Sequence, residues 1–345
     1  MKKTRVGIIN VTGYAGVELA RLLSRHPGVE LTSVTGRSTA GQKLNQFFPH
    51  LADLDLTIEA KLADVELAFS AMPHKDSAQE IIPLVGCGIK VVDISADFRL
   101  RSAEEYQKWY GVAHPAPQLL EKAVYGLPEL HREKIKKAQI IANPGCYPTS
   151  AILALAPAVK AGLVDSDIIV DSKSGVSGAG RSLSLTTHFA EVNEDVSAYA
   201  LEGHRHLPEI TQELKLLGAE EPSITFVPHL IPITRGILTT AYAPLVAGKL
   251  SEGKKGEAEL KAIYRDFYKD EPFVRVSAAP PHTKHTWGNN LCFVYPTIDP
   301  RTKRLIAISV LDNLVKGAAG QAIQNMNLML ALPETVGLEA PAVYP

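Results

Sequence analysis

Short apolar runs and an amphipathic stretch alternate at the start of the chain. Val6–Ile9 is apolar, and a helical periodicity of apolar positions runs from Val17 to Leu23 and ends near His26-Pro27-Gly28. Glycines at three-residue spacing separate these stretches, and a second apolar run covers Val29–Val34. The order strand, glycine-rich turn, helix, strand predicts the opening β-α-β unit of a dinucleotide-binding fold.

Two more strands of the same sheet are predicted at Glu66–Ser70 and Lys90–Ile94, each ending in polar or small residues. After Cys146 the pattern changes: an apolar helix is predicted at Ser150–Lys160, followed by runs rich in β-branched residues. These runs predict a second, mostly antiparallel or mixed sheet. Its predicted strands are Ile168–Val170, Ile224–Val227, Gly236–Pro244 and Leu305–Leu311. Residues 312–332 return to helical periodicity and are expected to pack back on the first domain.

Length and charge narrow the classes of function. A chain of 345 residues is long enough for two domains of roughly 150 residues each. Thirty-six Lys and Arg against 37 Asp and Glu give a formal charge of −1, which argues against general nucleic-acid binding. No apolar run approaches the roughly 18–20 residues of a membrane span, and the start Met1–Arg5 leads into a run too short for a signal peptide. We therefore expect a cytoplasmic protein without a membrane partner.

The run Gly13-Tyr14-Ala15-Gly16 is the candidate site for a cofactor pyrophosphate. Glycines before a helix let backbone amides approach a phosphate where the helix dipole favours negative charge. Asn10 occupies a place where glycine is common, and Asn is the residue other than glycine that best tolerates a positive φ. An ordinary chain-reversing turn is the alternative, which the flanking β-α-β pattern disfavours.

The end of the second strand bears on which nucleotide binds. An acidic residue there would bind a ribose 2′-hydroxyl, whereas this chain continues Thr35-Gly36-Arg37-Ser38. Arg37 and Ser38 favour the 2′-phosphate of NADP(H) over NAD. The alternative is that Arg37 is a solvated surface residue.

Three widely separated cysteines indicate neither a disulfide framework nor a thiolate zinc site. Cys146 lies between an apolar strand and a predicted helix, and a helix N-terminus lowers a thiol pKa. Cys146 is therefore the candidate nucleophile. Cys87 and Cys292 are interpreted as packing residues.

A histidine cluster supplies a candidate proton shuttle for this thiol. His206 is followed three positions later by Glu209, which could orient the imidazole. We interpret this pair as the acid/base group. Two alternatives stay open: a metal site built from His204, His206 and a carboxylate, and histidines with a purely structural role.

Two arginines are candidates for holding a phosphate or a carboxylate. Arg181 ends the glycine-rich loop that starts at Ser174, whose successive amides also suit an anion. Arg99 follows the strand that begins at Lys90. A surface salt bridge is the alternative for each arginine.

The motifs together resemble the type 1 N-acetyl-gamma-glutamyl-phosphate reductases and, more distantly, the aspartate-semialdehyde dehydrogenases. The matching stretches, in chain order, are Gly13-Tyr14-Ala15-Gly16-Val17-Glu18-Leu19, Ser95-Ala96-Asp97-Phe98-Arg99, Tyr125-Gly126-Leu127-Pro128-Glu129, Asn143-Pro144-Gly145-Cys146-Tyr147-Pro148-Thr149, Ser174-Gly175 with Gly180-Arg181, Gly203-His204-Arg205-His206 with Pro208-Glu209-Ile210, Pro228-His229-Leu230 with Arg235-Gly236, and Asp312-Asn313-Leu314 with Lys316-Gly317-Ala318-Ala319-Gly320-Gln321-Ala322. They cover almost the whole chain, and the one departure noticed is Asn10.

The resemblance implies an α/β fold with a Rossmann-type NADP-binding domain and an α+β catalytic and dimerisation domain containing a mixed sheet. The implied domains are residues 1–148 with 313–345, and residues 149–312. The implied cofactor is NADP(H) without a metal, the substrate a small acyl phosphate, and the assembly a homo-oligomer, either dimer or tetramer. Cys146 matches the nucleophile of the family and His206 its acid/base histidine. Further implied contacts are Ser177, Gly178 and Asn313 to the cofactor, and Ser95, Arg99, Asn143, Arg181 and His204 to the substrate or its phosphate.

The implied reaction is the NADPH-dependent reduction of N-acetyl-L-glutamyl 5-phosphate through a cysteine thioester, in arginine biosynthesis. One rival is a lysine-pathway paralogue acting on an aminoadipyl phosphate longer by one carbon, sometimes on a carrier protein. The balanced charge disfavours a carrier, since an acidic partner would require a basic patch. The other rivals are a non-catalytic NADP sensor and a metal hydrolase.

Overall fold

The computed structural model describes residues 3–345, which group by their contacts into two compact units. The first unit contains the chain up to Pro144 together with Ala318–Ala340, and the second contains Gly145–Gly317 and Pro341–Pro345. The boundaries expected from the sequence, near 148 and 313, lie a few residues away. The final residues group with the second unit, where the Val343 N–H donates to the Trp287 carbonyl at 2.9 Å.

The first unit is built on a parallel sheet of seven strands in the order β3-β2-β1-β4-β5-β7-β6. Its strands are β1 (Thr4–Ile9), β2 (Val29–Thr35), β3 (Ile58–Glu59), β4 (Leu67–Ser70), β5 (Lys90–Asp93), β6 (Val124–Tyr125) and β7 (Ile140–Ala142). Its helices before Pro144 are α1 (Tyr14–Leu23), α2 (Leu44–Phe47), α3 (Ser77–Gly86), α4 (Ala103–Tyr110), α5 (Pro117–Leu120) and α6 (Pro128–Ile135), with a 3₁₀ turn at Pro49–Leu51.

The central strands of this sheet are apolar on both faces, as expected for a parallel sheet between layers of helices. All four residues of β4 are buried, and so are the last four of β1. The predicted opening β-α-β unit is confirmed, since β1 pairs in parallel with β2. Helix α1 starts three residues before the apolar periodicity does, at Tyr14, because its glycine-rich first turn carries no apolar stripe.

The second unit is built on a mixed sheet of seven strands in the order β12-β13-β14-β11-β8-β10-β9. The elements from Cys146 to Leu311 are α7 (Cys146–Lys160), β8 (Asp167–Gly175), α8 (Phe189–Val192), β9 (Ser197–Ala198), α9 (Leu207–Leu216), β10 (Ser223–Ile231), β11 (Ile237–Pro244), α10 (Gly253–Phe267), β12 (Val274–Val276), β13 (Cys292–Asp299) and β14 (Arg304–Leu311), with 3₁₀ turns at Val176–Ala179, Leu185–Thr187 and Thr283–Thr286. Strands β8 and β10 are parallel, whereas β11 is antiparallel to β8 and β14. The predicted mixed sheet is therefore confirmed.

Helix α7 forms the core of the second unit and packs on β11, β13 and β14. It is buried all round from Tyr147 to Val159 rather than on one face, and its residues from Ala151 to Val159 are apolar. Pro157 inside the helix lacks the N–H that would bond the Leu153 carbonyl. The Tyr268 hydroxyl donates to that carbonyl instead, at 2.5 Å, so a side chain of the same unit replaces the missing bond.

The chain returns to the first unit through a π-helix and a regular helix. Residues 312–332 do not form the single continuous helix that periodicity predicts: Val315–Ala319 is π-helical, and α11 covers Gly320–Met329. Helix α11 packs on α1 and α6, as expected for a segment of the first domain. Within residues 3–345, we found no helix with the length and apolar character needed to cross a membrane.

Candidate active site

The turn after β1 connects three strand ends of the first unit. Asn10 has a φ of 63°. A positive φ agrees with the sequence, because Asn tolerates this conformation better than other residues that carry a side chain. Its N–H donates to the Thr35 hydroxyl at 3.2 Å, and its side-chain amide donates to the Ala71 carbonyl at 3.0 Å. A Cβ at Gly16 would lie 2.6 Å from the Asn10 carbonyl oxygen, so only glycine allows α1 to approach this turn.

The N-terminus of α1 fits a phosphate group. Gly13 is the N-cap, no side chain caps the helix, and the first turn carries no acidic residue. Tyr14 is exposed and Ala15 half-buried, which leaves the backbone at this end accessible. Uncapped amides at a helix start attract anions.

A cavity of about 340 Å³ lies beside this turn within the first unit. Asn10, Gly36 and Arg37 line it, and these residues follow the carboxyl ends of β1 and β2. The Thr39 hydroxyl, which lies beside Gly36, is buried without a hydrogen-bond partner. The cavity and the uncapped helix start lie at the carboxyl ends of the strands, where sheets of this kind bind a dinucleotide.

Arg37 is oriented by an acidic neighbour. Its guanidinium lies 2.9 Å from the Asp76 carboxylate, and its side chain is 68% exposed, beside the exposed Ser38. An exposed ion pair contributes little to stability. Arg37 can therefore exchange its partner for a ligand phosphate at small cost.

In the second unit, Cys146 is the first residue of α7 and is partly exposed. Gly145 is the N-cap and contributes no side-chain cap, and its carbonyl accepts from the Thr149 N–H and hydroxyl, both at 2.9 Å. Pro148 lies in the first turn, where a helix requires no N–H donor. The helix dipole at this position favours the thiolate form of Cys146.

Glu209 connects the cysteine to the histidine cluster. This fully buried carboxylate lies in the first turn of α9, and its Oε2 accepts from the Gly145 N–H at 3.1 Å. Its Oε1 lies 3.9 Å from Nε2 of His206, an ion-pair distance longer than a hydrogen bond. The predicted His206–Glu209 pair is therefore close in space, and one carboxylate contacts both the residue before the candidate nucleophile and the candidate acid/base. Sequence spacing gave no sign of the bond to Gly145.

His204 forms a hydrogen bond with the backbone of His206. Its Nδ1 accepts from the His206 backbone N–H at 3.1 Å, so in the neutral ring Nε2 carries the proton. Its ring packs between Tyr147 and Tyr199, at centroid distances of 5.7 and 5.6 Å. Burial, with a smaller contribution from the Arg205 charge, lowers the pKa of His204 to about 4. His204 is therefore uncharged at neutral pH.

The cofactor residues predicted in the second unit lie together. The Asn313 amide donates to the Ser177 hydroxyl at 2.9 Å, and its oxygen accepts from the Gly236 N–H at 2.8 Å. Gly178 belongs to the same 3₁₀ turn as Ser177. Arg181 follows on the exposed side of this loop. The bond from Gly236, the residue before β11, ties Asn313 to the start of this strand, and sequence spacing did not indicate it.

The predicted substrate residues of the first unit form hydrogen bonds with other groups of the protein. Arg99 is 7% exposed and donates to the carbonyls of Asn143 at 2.8 Å and Ile94 at 2.7 Å. A surface salt bridge, the alternative considered for Arg99, is wrong because the side chain is buried. Asn143 is fully buried and donates to the Ala318 carbonyl at 3.1 Å. Contact of these residues with substrate stays a prediction.

Ser95 belongs to a buried carboxylate network at the end of β5. Its hydroxyl donates to Asp93 at 2.7 Å and accepts from the Asp97 N–H at 3.1 Å. Burial, and next the charge of Asp97, raise the pKa of Asp93 to about 6. Asp97 also accepts from the N–H of Lys75 and Ala78, which ties the segment after β5 to the start of α3. The network fixes the loop that carries Arg99.

The other two cysteines differ from each other. Cys292 is fully buried in β13, as the packing interpretation requires. The same interpretation is wrong for Cys87, which is exposed. Cys87 caps the C-terminus of α3, where its N–H bonds to the carbonyls of Pro83 and Leu84 and its side chain points to solvent. Across residues 3–345, no cluster of three or more His, Cys, Asp or Glu has a geometry that could hold a metal ion.

Comparison with known sequences gives matches across both units. The family described as semialdehyde dehydrogenase, NAD binding domain, matches residues 5–138, and the semialdehyde dehydrogenase, dimerisation domain, matches residues 146–313. An N-acetyl-gamma-glutamyl-phosphate reductase of Dehalococcoides mccartyi strain 195 is 57% identical over 347 residues, covering all of both chains. One of Pelotomaculum thermopropionicum is 49% identical over 350 residues, covering 99% of each chain.

Solved structures share the fold at low sequence identity. The aspartate semialdehyde dehydrogenase II of Vibrio cholerae complexed with ASA has a TM-score of 0.69 at 16% identity and covers 96% of this chain and 99% of its own. The aspartate semialdehyde dehydrogenase of Candida albicans with NADP gives the same TM-score, identity and coverage. These structures support the fold and nothing finer.

Proposed function

The chain belongs to the N-acetyl-gamma-glutamyl-phosphate reductases of the semialdehyde dehydrogenase family, and we propose on that premise that it reduces N-acetyl-L-glutamyl 5-phosphate with NADPH. The products are N-acetyl-L-glutamate 5-semialdehyde and phosphate, a cytoplasmic step of arginine biosynthesis. One observation carries the mechanism: Glu209 contacts both Gly145, which precedes Cys146, and His206. Nucleophile and proton carrier are thus held by a single buried carboxylate.

In the first step, the Cys146 thiolate attacks the acyl carbon of the substrate. The bond from Sγ to carbon forms, the bond from carbon to the phosphate oxygen breaks, and phosphate leaves with the electron pair. The amides at the start of α7 stabilise the oxygen of the tetrahedral intermediate, because they lack partners within the helix. A thioester on Cys146 results.

In the second step, NADPH, when bound, supplies the hydride that reduces this thioester. The uncapped start of α1 and Arg37 are the residues proposed to hold the pyrophosphate and the 2′-phosphate, and the loop of Ser177, Gly178 and Asn313 is proposed to contact the cofactor as well. His206 donates a proton as the bond between carbon and Sγ breaks, which releases the aldehyde and the thiol. Glu209 orients His206, and the neutral His204 holds its backbone.

A phosphate-dependent oxidation assay tests the proposal. The protein is incubated with NADP, inorganic phosphate and N-acetylglutamate 5-semialdehyde, and NADPH formation is followed by absorbance. We expect formation only when phosphate is present. Activity confined to the aldehyde longer by one carbon would assign the lysine pathway, and activity with neither aldehyde would favour an NADP sensor. Elemental analysis showing stoichiometric zinc would favour a hydrolase.

Replacing Arg37 tests the choice of NADP over NAD. Arg37→Ala is expected to raise KM for NADP roughly 10- to 100-fold, because a charge-assisted hydrogen bond contributes about 1.5–3 kcal/mol. KM for NAD should stay within about twofold, since NAD has no phosphate at this position. Arg25→Ala, an exposed arginine elsewhere in the first unit, is the control for net charge. Equal losses with both cofactors would refute the assignment of Arg37.

We also propose a surface for the homo-oligomer that the match to a dimerisation domain indicates. The Thr239 hydroxyl of β11 bonds to Ser150 of α7, so alternate residues of this strand face the helix. The residues between them face away and are half-buried, among them Tyr242, which pairs with Ile306 of β14. The half-buried large side chains on this open face are Leu238, Tyr242, Phe293, Ile306 and Ile308. A second copy of the chain would cover them.

Charges introduced on the open face should separate the subunits. The double variant Tyr242→Glu with Ile306→Glu is expected to elute as a monomer, because each subunit pair would bury four carboxylates without partners, at a cost of several kcal/mol. Light scattering after size-exclusion chromatography measures the mass. The control is Leu216→Glu, an exposed leucine at the end of α9 on the opposite side of the sheet. An unchanged oligomer in the double variant would exclude this face.

A further inference from the structure

The π-helix Val315–Ala319 brings a glycine against the nucleophile. A Cβ built on Gly317 would lie 2.8 Å from the Cβ of Cys146 and 3.3 Å from its Cα. Real Cβ atoms essentially never approach other heavy atoms to 2.8 Å, and here the neighbour is not the end of a flexible chain. Only a residue without a side chain can occupy this position without displacing Cys146.

The backbone around Gly317 is held from several sides. The Gly317 N–H donates to the Asp312 carbonyl at 2.9 Å. This bond spans five residues, as is typical of a π-helix. The Asp312 carboxylate, fully buried, accepts from the Leu314 and Val315 N–H groups at 2.8 and 3.2 Å. The same carboxylate accepts from the Gly288 N–H at 2.8 Å and lies 3.6 Å from the Arg235 guanidinium, so the turn is attached to the rest of the second unit.

Lys316 anchors the same turn. Its side chain is fully buried, and its Nζ lies 5.7 Å from the centroid of the Phe273 ring. A buried lysine on an aromatic face is a specific contact that a regular α-helix, with a different side-chain rotation, would break. The π-helical conformation therefore fixes both Lys316 and the adjacent Gly317.

Cys146 is thus held on two sides. Glu209 bonds the N–H of Gly145 immediately before it, and Gly317 abuts its Cβ. We propose that Gly317 is a positioning residue for the Cys146 thiol, and that the π-turn exists to bring its bare backbone against the nucleophile. The proposal rests on the proposed function in that it takes Cys146 as the nucleophile.

A single added methyl group tests this role. Gly317→Ala shifts Cys146 by a few tenths of an ångström or more, and misplacement of a reacting group by about 1 Å can cost roughly 100-fold in rate. We expect kcat to fall roughly 10- to 100-fold, with KM for the acyl phosphate and the Kd of NADPH within about twofold. This separation of kcat from KM distinguishes positioning from loss of a binding contact.

Alkylation of Cys146 by iodoacetamide provides a readout that needs no substrate. Its rate is measured against pH in a Cys87→Ser background, because Cys87 is also exposed, and the modified peptide is identified by mass spectrometry. We expect Gly317→Ala to shift the pH midpoint or to lower the plateau rate several-fold. The matched control is Gly86→Ala at the end of α3, where a Cβ meets nothing within 4 Å.

The outcomes separate this proposal from the proposed function. Altered alkylation together with a protein inactive on every acyl phosphate would support the positioning and reject the function. Unchanged alkylation and kcat in a folded Gly317→Ala protein would overturn the positioning and leave the function standing. If Gly317→Ala does not fold, Lys316→Met loosens the same turn, and an unchanged alkylation profile there would overturn the proposal equally.

Discussion

Replacing Cys146 with alanine is expected to remove turnover almost completely. Loss of a nucleophile typically costs roughly 10⁴-fold or more in kcat, since the remaining site still binds but cannot form the covalent intermediate. Cys146→Ser should be nearly as inactive, because a serine hydroxyl at a helix start is not ionised as a thiolate is. NADPH binding, measured by fluorescence titration, should remain within about twofold of the wild type, because Cys146 is not among the proposed cofactor contacts.

Cys87→Ser is the matched control for this experiment. The thiol of Cys87 is exposed at the end of α3 and has no part in the proposed reaction. We expect this variant to retain wild-type kcat. Retained turnover in Cys146→Ala, or a comparable loss in Cys87→Ser, would reject Cys146 as the nucleophile.

His206→Asn is expected to have the second largest effect. A positioned acid/base group contributes roughly 10²- to 10⁴-fold, so kcat should fall by that factor. The pH profile should change as well. In the proposed mechanism His206 carries a proton when the aldehyde leaves, so kcat of the wild type should fall at the pH where His206 loses that proton, and the variant should lack this alkaline limb.

Two further variants separate His206 from its neighbours. The pKa of His204 is lowered to about 4, so His204 stays neutral as pH rises through the working range and His204→Asn should keep the alkaline limb. Glu209→Gln retains an acceptor for the Gly145 N–H but loses the charge near His206, so it should cost less than His206→Asn. Persistence of the limb in His206→Asn would assign the proton to another group.

Local patterns in the chain determined how much of the fold could be predicted. The opening β-α-β unit has its apolar periodicity and its glycines within 30 consecutive residues or so, and local spacing records both. The sequence also places Cys146 at a helix N-terminus, because Pro144, Gly145 and Pro148 restrict the backbone there, although the apolar periodicity predicts the helix only from Ser150. The π-helix at Val315–Ala319 could not be predicted, because its pattern of small and apolar residues fits an α-helix equally well.

The sequence predicted which residues belong to the candidate site, but it did not predict which of them contact each other. The spacing of His206 and Glu209 indicated a pair, yet the bond from Glu209 to Gly145 joins residues that are 64 positions apart. Arg99 looked like an anion-binding residue, and only the fold shows its bonds to backbone carbonyls. The absence of a nearby base in the sequence favoured a packing role for Cys87, whereas its thiol is exposed just after the end of α3 at Gly86. Such contacts depend on the tertiary structure.

The mass of the intact protein after incubation with N-acetyl-L-glutamyl 5-phosphate, without NADPH, tests the central claim most directly. We predict that the wild type gains one N-acetylglutamyl group, that peptide mapping places it on Cys146, and that adding NADPH removes it with release of the aldehyde. Cys146→Ala should gain nothing. A wild-type protein that reduces the substrate but never carries the acyl group on Cys146 would contradict the thioester mechanism.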